Sequence, residues 1–175
     1  MGTTRPFGWL ATAALAAGLA VGTGPAGAAT TFVQSHGDLV DFQPSAGNAT
    51  DGATASLWAV SSGGGTTFWV FIQGLDPEAA DTTYGAHIHV GPCVAGNGAA
   101  AGPHYNAGGT PSPETEVWLD FTVLPGGYGY AATTVPFDIQ PGAARSMVIH
   151  AEPTQEGGAT PGAAGARQAC LPVSF

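Results

Sequence analysis

Two runs, "TASLWAV" and "TTFWVFIQ", joined through "SSGGG", constrain this chain most. Both are dense in β-branched and aromatic residues, and a glycine cluster between two such runs is a hairpin signal. The pattern recurs downstream. "EVWLDFTV" alternates Val117, Leu119, Phe121 and Val123 on one side with Glu116, Trp118, Asp120 and Thr122 on the other, the period of a half-buried strand. "PGGYG" turns into "YAATTVPF", and "RSMVIH" reads as a further strand. No segment carries a helical period of useful length, and no internal repeat is visible. About eight short strands predict an all-β sandwich or small barrel. Two Gly/Ala/Pro segments, residues 91–115 and 152–166, are too long for simple hairpin links, and long loops inside a compact domain usually carry function.

The opening 29 residues have a different character. One Arg, an Ala/Leu/Val run and small residues at the end form a secretory signal peptide with an A-x-A-like site, cleaved after Ala28 or Ala29. The run is broken by glycine and falls short of the ~20 apolar residues a spanning helix needs. No cysteine follows it, so a lipid anchor is not expected. The expected product is one exported domain, residues 30–175, large enough to bury a full core and bound for a secreted or extracytoplasmic compartment where two cysteines can pair. Without Arg5 it keeps two Arg, no Lys and twelve acids, hence about −10. That excess disfavours nucleic acid and anionic membranes as partners. The chain's four Trp, four Tyr and eight Phe argue against disorder despite the scarcity of charge.

Of five histidines and two cysteines, three fall within "GAHIHVGPC". On a strand His87 and His89 face the same way, roughly 7 Å apart at Cα, so both imidazoles can grip one ion. Alone the pair is weak, since a solvated H-x-H is common. His104 in "AGPHYN" and His150 at the end of "RSMVIH" strengthen it. His150 shares a face with Ser146 and Val148, opposite Met147 and Ile149, so all four rings can meet outside the barrel. A set of four imidazoles without thiolate or carboxylate suits a borderline metal, and a near-planar four-nitrogen site favours Cu(II). Zinc with four protein ligands would be a closed structural site. The blander alternative is that His104 and His150 are unrelated loop and core residues. His36 lies outside every motif and is expected at the surface.

The ordered set "GAHIHVGPC", "AGPHYN", "ARSMVIH" and "GAAGARQAC" resembles the copper–zinc superoxide dismutase family over about residues 54–173. The resemblance implies an eight-stranded Greek-key barrel or sandwich with long active-site loops. It implies copper held by His87, His89, His104 and His150, a Cys93–Cys170 disulfide tying the active-site loop to the barrel, and Arg167 beside the copper. The chain departs from the family's zinc-binding pattern. No histidine lies between His104 and His150, the loop "AGGTPSPETE" is short, the family's H-V-G-D becomes "EVWLD", and the aspartate expected four residues after the last copper ligand is Thr154. The resemblance is therefore to the copper-only, exported bacterial branch, with copper as cofactor and zinc not expected.

By that resemblance the activity is disproportionation of superoxide to dioxygen and hydrogen peroxide, with His104 and Arg167 as catalytic residues. In zinc-containing members the metal-bridging histidine is remade and broken in each cycle; here the outer nitrogen of His104 would need another partner. Glu116, or failing that Asp120, is expected to hydrogen-bond it, although Glu114, Glu116 and Asp120 could simply keep the strand soluble. Arg167 could guide a small anion with its forked donors, bond loop carbonyls, or do both. Two other functions stay open. "AHIHVGP" also resembles chordin-type extracellular domains, which would make this a non-enzymatic module, and a copper-binding domain without turnover would look the same. The oligomeric state is open, monomer included.

Overall fold

The computed structural model describes Met1 and residues 30–175; the rest of the expected signal peptide lies outside the described residues. Among the described residues ten strands form in chain order: β1 (Thr31–Asp38), β2 (Val40–Asp41), β3 (Thr54–Ser62), β4 (Gly65–Gln73), β5 (Thr83–Tyr84), β6 (Ala86–His89), β7 (Phe121–Thr122), β8 (Tyr128–Val135), β9 (Ser146–His150) and β10 (Arg167–Pro172). They build two four-stranded antiparallel sheets, β1-β3-β4-β8 and β2-β10-β9-β6, and a short β5-β7 ribbon. The neighbours β4–β8 and β6–β9 are far apart in sequence, as long Greek-key returns require. The architecture is the expected all-β sandwich. Among the described residues no helix is long and apolar enough to cross a membrane.

The first sheet follows its sequence pattern closely. Ser62 pairs with Gly65, so Gly63 and Gly64 alone make the turn. Both have positive φ, at 67° and 87°, the combination a two-residue type I′ hairpin needs and glycine reaches without strain. Alternate residues Ala55, Leu57 and Ala59 of β3 and Phe68, Val70 and Ile72 of β4 then point into the core. There they meet Ile88, Leu119, Phe121, Met147, Ile149 and Leu171 from the opposite layer. Truncating one such residue to Ala would cost about 2–5 kcal/mol.

The second sheet departs from simple reading. "EVWLDFTV" is not one continuous strand: β7 covers only Phe121–Thr122, with isolated bridges His87↔Trp118 and Asn106↔Glu116 upstream. The expected alternation nevertheless holds, with Val117, Leu119, Phe121 and Val123 all buried. The pairs Thr83↔Thr122, Tyr84↔Phe121 and His87↔Trp118 share one antiparallel register, so residues 116–122 extend the second sheet beyond β6. The ladder breaks at Gly85 and Asp120, where Gly85 N donates to Glu152 O and the Asp120 carboxylate, not a backbone carbonyl, accepts from Ala86 N. A Cβ on Gly85 would stand 2.7 Å from Ala164 Cβ and 2.9 Å from Glu152 O. Only glycine lets the 152–166 loop close down on the sheet at this point.

Candidate metal centre

β6 and β9 are buried on both faces. One face meets the core; the other lies under the two long loops. The first loop turns through a short 3-10 segment, Gly98–Ala101, and returns with Val90 N bonded to Pro103 O and Gly91 N to Ala101 O. Cys93 is disulfide-bonded to Cys170 of β10. The second loop folds on itself through bonds from Ala151 N to Ala166 O and Glu152 N to Ala164 O. His87 and His89 therefore leave the core face as expected, but they are not exposed outside a barrel: both are fully buried. His150 is 4% exposed. The His104 side chain keeps 18% of its surface and is the one ring of the four in partial contact with solvent.

The four rings form one cluster. Ring centroids are 4.1 Å apart for His87–His104, 4.6 Å for His89–His104 and 4.8 Å for His87–His150. One ring nitrogen from each residue lies within 4.8 Å of the others. The second nitrogen of every ring is bonded outward. His89 Nδ1 donates to Gly102 O at 3.1 Å, His150 Nδ1 to Gly165 O at 3.4 Å, and His104 Nδ1 to Glu116 Oε2 at 2.7 Å. His87 is reversed: its Nε2 donates to Thr154 Oγ1 at 2.7 Å, and its buried Nδ1 has no partner.

A neutral imidazole carries one proton, so these outward bonds leave four lone pairs directed inward. Nε2 of His89 and of His150 stand only 3.3 Å apart, and two bare lone pairs at that distance repel unless something positive lies between them. Protons are poor candidates. Burial, followed by the charges of His104, His150, His89 and Arg167, holds His87 far below the usual histidine range. Burial foremost pushes His89 down to about 2 and His150 to about 4. A metal ion is the group these residues fit: a cation held by the four rings would satisfy both the orphaned nitrogen of His87 and the facing pair.

Of the other residues singled out in the sequence, Glu116, Asp120 and Arg167 bond to the ligand rings or to the groups that hold them. Glu116 is buried and accepts from His104, from Trp118 Nε1 at 2.9 Å and from Asn106 Nδ2 at 3.2 Å. Burial works to raise its carboxyl pKa, but the bonds from His104 and Trp118 outweigh it, and the net shift is downward. Asp120 bonds Thr154 and Ala86, not His104. Arg167 pairs with His150 across the β10–β9 ladder and donates to Gly98 O and Gly102 O, both at 2.7 Å. It thus shares the Gly102 carbonyl with His89. Trp118 and Asn106 carry no role in the sequence reading, and Thr154 enters it only as the residue standing where the family has an aspartate. Trp118 and Asn106 stand two residues from Glu116 and His104, so strand alternation could have found them. Glu114 is exposed on the loop, and His36 is exposed on β1, bonded to Ser56.

No protein-family model matches the chain, and no curated protein does. Among solved structures, that of a double mutant of a SOD-like protein from Bacillus subtilis matches with a TM-score of 0.58 at 19% identity, covering 81% of this chain and 95% of that one. At that identity the likeness is one of fold. The chain thus has a SOD-like β-sandwich fold carrying a disulfide and a four-histidine cluster able to hold a metal.

Proposed function

We propose that the protein is an exported, copper-dependent superoxide dismutase that works without zinc. The observation that carries this reading is the set of four clustered imidazoles, three buried and His104 partly open, with outward nitrogens engaged and inward lone pairs convergent. Four neutral nitrogens without thiolate or carboxylate suit copper. The position behind His104 is filled by Glu116, which holds a proton on Nδ1 where a second metal would otherwise compete. When bound, copper supplies the one-electron redox couple that turns two superoxide ions and two protons into dioxygen and hydrogen peroxide.

The chain's own residues do the rest. Glu116 fixes the His104 tautomer and strengthens the ring as a ligand. His104 is partly open to solvent, so protons and a small anion can approach on its side. Arg167 contributes a fixed positive charge in a protein of net charge −9, where bulk attraction for an anion is absent. The disulfide keeps the loop carrying Gly98 and Gly102 against that guanidinium. The sequence of the N-terminal segment supports export, and the disulfide is consistent with it.

Anaerobic copper titration followed by a superoxide-consumption assay tests the reading. One copper and negligible zinc per chain, with turnover proportional to copper, is expected. Tight copper without turnover would make this a copper-binding domain. One tightly bound zinc beside copper would overturn the copper-only reading and implicate Glu116.

A further inference from the structure

The bonds around His87 differ in kind from those around the other three rings. His89 and His150 donate to backbone carbonyls and His104 to a carboxylate. None of these acceptors can give a proton back, so each tautomer is set by its partner. The partner of His87 is the hydroxyl of Thr154, which can donate as readily as accept. If it donated to Nε2, the ring proton would move to Nδ1 and point into the cluster, and that nitrogen could no longer hold a cation.

Asp120 removes this ambiguity. Its Oδ1 accepts the Thr154 hydroxyl proton at 2.5 Å, and its Oδ2 accepts from Thr154 N at 2.7 Å. With its single proton given to Asp120, the hydroxyl oxygen can only accept from His87 Nε2. Nδ1 of His87 is then bare, and no donor or acceptor of the protein reaches it. Asp120 is itself held from two sides, by Thr154 on the 152–166 loop and by Ala86 N at 3.4 Å, one residue before His87. The same carboxylate interrupts the β6 ladder.

We infer that Asp120, acting through Thr154, is a positioning residue that commits His87 to presenting Nδ1 to the metal. This rests on the cluster being a copper site. The two ideas separate experimentally, because the tautomer can be read in metal-free protein. The test uses Asp120→Asn, Thr154→Val and Thr154→Ser in the exported chain. Two readouts apply: nitrogen-15 imidazole NMR of metal-free protein, and copper affinity by competition with a chromophoric chelator.

The wild type should show His87 protonated at Nε2. In Asp120→Asn the His87 signals should shift to a mixture of tautomers, and copper affinity should fall about 10- to 100-fold, the usual loss for such a partner. Thr154→Val should lose affinity to a similar degree, while Thr154→Ser, which keeps the hydroxyl, should stay near wild type. Should Asp120→Asn fail to fold, the contrast between Thr154→Val and Thr154→Ser decides. Wild-type affinity in folded Asp120→Asn or Thr154→Val, or an unchanged His87 tautomer in folded Asp120→Asn, overturns the inference. If wild type itself binds no copper, the metal reading falls, and the tautomer measurement alone decides the role of Asp120.

Discussion

The two sheets share the same core, but their outer faces have opposite fates. On β1-β3-β4-β8 the outward residues are left to solvent: Phe32, Phe71, Tyr128 and Tyr130 are exposed, with Trp58 and Trp69 paired beside them and half-buried. Thr67 and Thr134 bond across the same face. On the second sheet the outward residues of β6 and β9 are histidines, a serine and a valine, and they are buried. The side chains that would tolerate burial lie in the open, and those that resist it are covered. Burial of imidazole is unfavourable unless its nitrogens are satisfied. The second sheet meets that condition with four outward acceptors and a shape fit for a cation. Its outer face can enclose an ion because two loops cover it, and the loops stay there through the disulfide and the close approach at Gly85.

The largest way to break this contrast is to release the cover. Cys93 and Cys170 are 77 residues apart, and cross-linking so long a loop is worth ~4 kcal/mol on chain-entropy grounds, with 2–5 kcal/mol the usual loss on removal. Cys170→Ser, or reduction of the wild type, should lower the urea midpoint by that order and weaken copper binding together with it. An unchanged midpoint after complete reduction would mean that the loop is held by its backbone bonds alone.

The second effect is a pH slope in the metal-free protein. His89 and His150 sit well below the ordinary value of 6.5 when folded. The unfolded chain therefore takes up protons first as pH falls, and stability is lost as pH drops below about 6.5. The shift of His150 to about 4 corresponds to ~3 kcal/mol once the window down to pH 4 has been crossed. Chemical denaturation at pH 7, 5.5 and 4.5 should show this decline. A flat profile would mean that the rings are protonated or open in the folded state.

How much of this was legible depended on the range over which each contact is specified. Strand alternation is local, so the first-sheet hairpin, the inward run Val117 to Val123 and the shared face of His87 and His89 could all be read from a few residues. The strand β1 carries a weaker pattern: it is an edge strand, partly exposed on both faces, and was not marked. The break at Asp120 was invisible because it depends on a side chain leaving its own strand to bond a loop. The partnership of Thr154 with His87 was equally hidden. Residue 154 could be noticed only as a departure from the family pattern, and its contact depends on how far the 152–166 loop can descend, which Gly85 decides.

The finest comparison sets one aromatic ring on each outer face side by side. Trp118 faces outward from the second sheet and is only partly buried, yet its Nε1–H donates to Glu116 Oε2 at 2.9 Å. Trp118→Phe keeps a ring and removes that bond. A hydrogen bond to a charged group contributes about 1.5–3 kcal/mol when buried; partial exposure should bring this nearer 1 kcal/mol. Glu116 would still accept from His104 and Asn106, so copper should be retained with somewhat lower affinity. Tyr130 faces outward from the first sheet, is 55% exposed, and stands opposite Phe71 in register. Tyr130→Thr exchanges one good strand former for another and leaves no buried group unpaired, so it should change stability by about 0.5 kcal/mol or less. It should leave copper affinity untouched, since its sheet contributes none of the four rings. Equal losses of stability in the two variants would mean that the loops do not set the two faces apart. A loss of copper affinity in Tyr130→Thr would mean that the faces communicate through the core.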